Sequence, residues 1–229
     1  MLRKLALLAA CALSMTRAPS AHAQTSPIPQ ANYTVAGSWR LGGNGGWDGL
    51  ALQAGGARLF VSRGDHVDVV DTGNGKLAGT IPRTAGVRGI AFAPPLKRGF
   101  TSNGEANTVT VFELGTLRVT HEVPVSGTMP DAILYEPLRN QIYTANRESA
   151  NISILDATTL QIVATVPLPG PPEFMATDEA GHVFVNIDTA PGTLVLIDAK
   201  TPTVKSKWSL KECANPTGLA LDAANHRLF

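Results

Sequence analysis

Residues 142–166 read IYTANRESANISILDATTLQIVATV, and weaker copies of this stretch stand before and after it. Laid under one another, the copies share a pattern of alternating apolar residues that ends in an acid: HVDVVD to Asp71, TVTVFE to Glu113, NISILD to Asp156 and TLVLID to Asp198. The acids are 42, 43 and 42 residues apart. An aromatic residue precedes each, at Phe60, Phe100, Tyr143 and Phe184, and Phe229 adds a fifth, in steps of 40, 43, 41 and 45. Two independent markers keep one period, so the chain is a repeat array.

Helical repeats and propeller blades both recur near forty residues, so the periodicity inside the unit decides between them. It is two. The unit splits into AILYE, QIYTAN, NISILD and LQIVATV, separated by the turn-forming PLRN, RESA and ATT. Short β-branched or aromatic runs broken by turns are strands. Four strands per unit at this spacing predict an all-β fold, a β-propeller of four-stranded blades that bury their faces against one another.

The stretch Ile142-Tyr143-Thr144-Ala145-Asn146, with the residues up to Val166, resembles the YVTN-type β-propeller repeat found in exported propellers, and the resemblance extends over residues 46–229. LFVSR at 59–63 and GFTSN at 99–103 keep the strand pattern, and VFVNI at 183–187 keeps the asparagine. The resemblance implies the fold; such propellers serve different tasks, so it does not name a function.

Residues 1–23 carry Arg3 and Lys4, then LALLAACALSM, and end in Ala21-His22-Ala23. This is the layout of a secretory signal cleaved after Ala23, which predicts a periplasmic or secreted protein beginning at Gln24. Leu8-Ala9-Ala10-Cys11 has the form of a lipoprotein box, but too few apolar residues separate Lys4 from Cys11 for it. The apolar stretch is also short of the ~20 residues a membrane span needs. Residues 24–32 read as a disordered leader and 33–41 as one strand that would close a ring. Blades are expected over 46–83, 86–125, 127–168 and 170–210, with part of another over 213–229. The repeat predicts further strands after Phe229, so the sequence reads as an arc of a seven- or eight-bladed ring.

Loss of 1–23 changes the formal net charge from +1 to −2. That balance gives no electrostatic reason to bind nucleic acid. Cys213 is then the lone cysteine and reads as a small buried hydrophobe. The glycine-rich stretch GGNGGWDG at 42–49 is followed by strands, not by the helix that phosphate binding needs, so its glycines are assigned to a turning link. The recurrent Asp71, Glu113, Asp156 and Asp198 each precede a tight turn whose N–H groups they can cap. His66, His121, His182 and His226 are scattered, and no zinc, cofactor or nucleophile motif occurs.

Antiparallel order puts the entries to the innermost strands and the loops between second and third strands on one face. The entries supply Asp48, Arg88, Asp131 and Glu173, and the loops supply Asn103, Asn146 and Asn186. These seven are the expected ligand-binding set. The first function class is a binding or interaction module that takes a small ligand or a protein partner at this mouth. The alternative is a lactonase- or lyase-like enzyme holding a divalent cation on carboxylate and amide oxygens. Arg88 competes with such a cation and no histidine is placed as a base. Binding is therefore the leading expectation, with no metal or cofactor assigned.

Overall fold

The structure is a computed structural model that describes residues 33–229, so the signal-peptide and leader readings of 1–32 lie outside the described residues. Trp39–Phe229 form one compact unit. Each repeat folds into a four-stranded antiparallel sheet whose strands pair in chain order. The first blade is β1 (Leu50–Leu52), β2 (Arg58–Ser62), β3 (Val67–Asp71) and β4 (Leu77–Ile81). The second is β5 (Val87–Ala93), β6 (Arg98–Asn103), β7 (Thr108–Glu113) and β8 (Val119–Pro124). The third is β9 (Pro130–Glu136), β10 (Gln141–Asn146), β11 (Asn151–Asp156) and β12 (Ile162–Pro167). The fourth is β13 (Pro172–Thr177), β14 (His182–Ile187), β15 (Thr193–Asp198) and β16 (Thr203–Ser209). A short hairpin, β17 (Leu221–Asp222) with β18 (Arg227–Leu228), comes after them. The only helical turn among the described residues is a 3-10 turn at Pro94–Leu96.

The acids that mark the period act in the turns. Asp71 accepts from the Gly73 N–H at 2.7 Å, Asp156 from Thr158 and Thr159 at 2.9 and 2.7 Å, and Asp198 from Lys200 at 2.8 Å. Glu113, longer by one methylene, instead takes the Thr116 hydroxyl at 2.7 Å and the Arg118 guanidinium. Four residues after the acid, Gly75, Leu117 and Leu160 all hold positive φ (69°, 61° and 64°) and return an N–H to the acid's carbonyl. The turn geometry thus repeats even where its sequence does not.

Adjacent blades bury each other. Phe60, Val67 and Val69 of the first pack on Val87, Phe112 and Leu114 of the second, with Phe60 edge-on to Phe92 at 4.9 Å between ring centroids. Phe100, Val109 and Val111 meet Ile142, Leu155 and Ala157 of the third blade. Tyr143, Ile152 and Ile154 meet Val183, Val185, Val195 and Ile197 of the fourth. The positions between them are buried as well: Thr110 and Ser153 are fully buried because both faces of their blades are covered, and Asp68 of the first blade is 8% exposed beside Arg63 and His66.

The fourth blade departs from the repeat in how its third strand is covered. Leu194 and Leu196, aligned with Ile152 and Ile154, are only half-buried, while Val195 and Ile197 are fully buried. The leucines face away from the third blade, and Leu194 borders a cavity of about 470 Å³ next to β17 and β18. Residues 33–41, read as a ring-closing strand, pair with no edge among the described residues.

Ile154 and Leu196 hold the same place in the repeat but differ in cover. Ile154→Ala should cost about 2–5 kcal/mol, the range for truncating a fully packed residue. Leu196→Ala should cost less than half as much in the same urea titration; equal costs would contradict the assignment of faces.

Candidate functional site

The innermost strands β5, β9 and β13 each carry a bulge at the same place. Val87 pairs with Asn103 and Ile90 with Thr101, so Arg88 and Gly89 together oppose Ser102. Asp131 and Ala132 likewise oppose Ala145, and Glu173 and Phe174 oppose Asn186. In the first blade Asp48 and Gly49 stand just before β1, held to Ser62 by hydrogen bonds, with no bulge in the strand itself. A bulge bends the strand and re-aims its side chains. Here it turns the charged residue of the second, third and fourth blades out of the ladder and toward the mouth.

Small hydroxyls on the second strands satisfy the backbone groups that the ladder leaves unpaired. Ser62 Oγ accepts from Asp48 N–H at 3.0 Å, and Ser102 Oγ accepts from Gly89 N–H at 2.9 Å and donates to the Asp131 carbonyl of the next blade. Gly49 N–H donates to the Arg88 carbonyl at 3.0 Å, joining the first two blades directly. A Cβ on Gly49 would lie 2.1 Å from that carbonyl oxygen, so the approach requires glycine.

Asp48, Arg88, Asp131 and Glu173 thereby line one cavity of about 290 Å³, together with apolar groups that include Leu50, Ile90, Ile133 and Phe174. Leu50 and Phe174 are 62% and 52% exposed. Ile90 and Ile133 also border a wider cavity of about 800 Å³ toward the opposite face, where Leu52, Phe92 and Tyr135 continue the wall.

Arg88 Nη1 is 3.2 Å from Asp48 Oδ2. Arg147 pairs with Glu173 and also reaches Asp188 Oδ2 at 2.6 Å. Asn215 and Arg147 hold the Asp188 carboxyl below its ordinary range. Asp131 makes no salt bridge or side-chain hydrogen bond among the described residues. Burial raises its pKa above the ordinary 3.8; Arg88 opposes the rise and Asp48 adds to it.

The three asparagines do not line this cavity. Asn103 is fully buried, accepting from Thr101 Oγ1 at 2.8 Å and donating to Thr108 and Thr110 at 3.0 and 2.8 Å. Asn146 repeats the arrangement with Thr144 at 3.1 Å, and Asn151 and Ser153 both at 2.7 Å. Thr110 and Ser153 in turn bind the link that enters their own blade, at Arg83 and Ser126. Asn186 lies one register position earlier, opposite Leu194, where a one-residue step reverses the side chain. It donates to the Gly218 carbonyl at 2.7 Å. All three brace the frame.

Leu50 and Phe174 are parts of the cavity that the repeat alignment did not single out. For Phe174 the available signal was Glu173 beside it, because a bulge exposes two neighbours where a regular strand would present one. Cys213, expected to be buried, is exposed and free, in the link after β16. Among the described residues no three of His, Cys, Asp or Glu are grouped so as to hold a metal ion.

No family model matches the chain, and no curated protein matches it. Its fold is similar to that of Kuenenia stuttgartiensis hydrazine synthase, with a TM-score of 0.72 and 18% identity over 82% of this chain and 56% of that one. It is also similar to the β-propeller domain of Myceliophteria thermophila Cps50 (Swd1), with a TM-score of 0.68 and 15% identity over 82% of this chain and 63% of that one. The chain thus spans less than two thirds of either. These likenesses establish the β-propeller fold.

The environment of Asp131 has a signed consequence. A carboxyl whose folded pKa lies above its unfolded value supports folding below that unfolded value, and loses this contribution as pH rises through the folded one. Asp131→Asn should therefore melt higher than the parent at pH 7, with the difference shrinking as pH falls toward 3.8. Thermal melts across this range test it; a variant that melts lower at pH 7 would refute the assignment.

Proposed function

We propose that this chain is an exported YVTN-type propeller that binds a small ligand or a protein partner's loop in the cavity at its mouth. The observation that carries the reading is convergence: three successive inner strands each turn one charged residue, at one repeated bulge position, into one concave space, and the link before β1 adds Asp48 as a fourth. A few polar groups set in an apolar hollow are the usual make-up of a ligand pocket. Asp48, Arg88, Asp131 and Glu173 would face the ligand, with Asn103, Asn146 and Asn186 behind them as bracing.

A metal-dependent lactonase or lyase would need several oxygen ligands free to close on one cation. Arg88 already holds Asp48, and Arg147 holds Glu173. Binding is therefore the reading we carry, and neither a cofactor nor a nucleic-acid partner is part of it.

A crystallographic fragment soak tests the site. Fragments should occupy the cavity between Asp48 and Glu173 more often than any other hollow; a screen whose hits all lie elsewhere would remove the mouth as the binding site.

Export is the second part of the proposal, supported by Arg3, Lys4, the apolar run and Ala21-His22-Ala23. Among the described residues no helix is long and apolar enough to cross a membrane. Intact-mass measurement on exported material should give a chain beginning at Gln24. A mass that retains residues 1–10 or carries lipid on Cys11 would overturn cleavage after Ala23.

A further inference from the structure

Three carboxylates, Asp48, Asp131 and Glu173, line the mouth cavity against one guanidinium, that of Arg88. Arg88 is engaged by Asp48, which leaves Asp131 and Glu173. Arg147, behind the cavity, is shared between Glu173 and Asp188, so one cation serves two anions. The formal charge of the lining is −2, and it remains −2 when Arg147 and Asp188 are both included.

An isolated anion in such a place is costly unless a partner arrives, because burial penalises the charged form. Asp131 is in that position: half-buried, without a hydrogen bond or ion pair among the described residues. On the same cavity wall stand the exposed Leu50 and Phe174 and the side chain of Ile133. The hollow therefore combines one carboxylate that no ion pair or hydrogen bond engages with apolar surface that nothing covers. An anionic ligand meets a lining of net negative charge, and a neutral one brings no charge to balance Asp131.

Resting on the mouth-binding reading above, we propose that the ligand class of this cavity is a small organic cation, an amine or guanidine with an apolar body. Its charged head is seated on Asp131 and its body lies against Phe174, Leu50 and Ile133. A volume of about 290 Å³ matches a molecule of this kind, near the lower end for ligand pockets.

The test compares three probes of one shape and different charge, benzylammonium, benzyl alcohol and benzoate, by isothermal titration and ligand-observed NMR on the chain from Gln24. Benzylammonium should bind, more weakly as salt is raised, and the other two should not. Asp131→Asn should lower its affinity by about tenfold or more, the loss expected for a charge-assisted hydrogen bond. The variant's melting temperature at pH 7 serves as the folding control. Phe174→Ala, a change at an exposed side chain, should weaken benzylammonium by about threefold to tenfold through lost apolar contact. Benzoate binding as well as benzylammonium, or a benzylammonium affinity unchanged in Asp131→Asn, would overturn the cation class while leaving the mouth as a binding site. No binding by any of the three would also overturn it. The mouth reading would then stand or fall on the fragment soak alone.

Discussion

Each blade of this protein is stable because another blade covers it. A four-stranded sheet of this size exposes two apolar faces, and no blade has a core of its own. The aromatic residue of each second strand, with the β-branched residues of the third, fills the space against the next blade, as Phe60, Val67 and Val69 do against Val87 and Phe112. Order in one blade therefore depends on the presence of the next. The half-buried Leu194 and Leu196 show the dependence directly, since the same repeat positions are fully buried where a complete blade lies over them.

Polar groups join the blades where the apolar cores stop. Ser102 reaches the Asp131 carbonyl, Asn186 reaches Gly218, and Arg147 reaches Glu173 and Asp188, each crossing from one repeat to the next. Within the second and third blades, Asn103 and Asn146 use both amide N–H groups and the carbonyl in hydrogen bonds to neighbouring hydroxyl and amide side chains. A buried amide left half-satisfied would be a liability, and a complete network fixes one arrangement of strand and link. These crossings set the spacing of the inner strands and thereby the shape of the cavity.

The fold was legible in the sequence because its markers are local. An acid before a tight turn and an aromatic on the second strand repeat at one period, and a period of two inside each unit can only mean strands. The four charged residues of the mouth were legible for a related reason: antiparallel order fixes the face on which each strand begins. What escaped depends on register. Asn186 looked equivalent to Asn103 and Asn146 because it ends a similar stretch, yet it is one step out, and one step reverses a side chain in a strand. The bulges were invisible because nothing in Arg88-Gly89, Asp131-Ala132 or Glu173-Phe174 announces an unpaired residue. Without them Phe174 could not be placed beside Glu173 in the cavity. Cys213 was misjudged from the average behaviour of cysteine, which gives no weight to its place in a connecting link.

The bulge carries one more consequence. A residue in the regular ladder is bound to its neighbours by packing on both faces, and a change there disturbs the sheet. The residue turned out at the bulge is released from that requirement, and the second, third and fourth blades present arginine, aspartate and glutamate at this one place while keeping the same backbone. The side chains that line the mouth can thus be changed one blade at a time without touching the residues that make the blades stack.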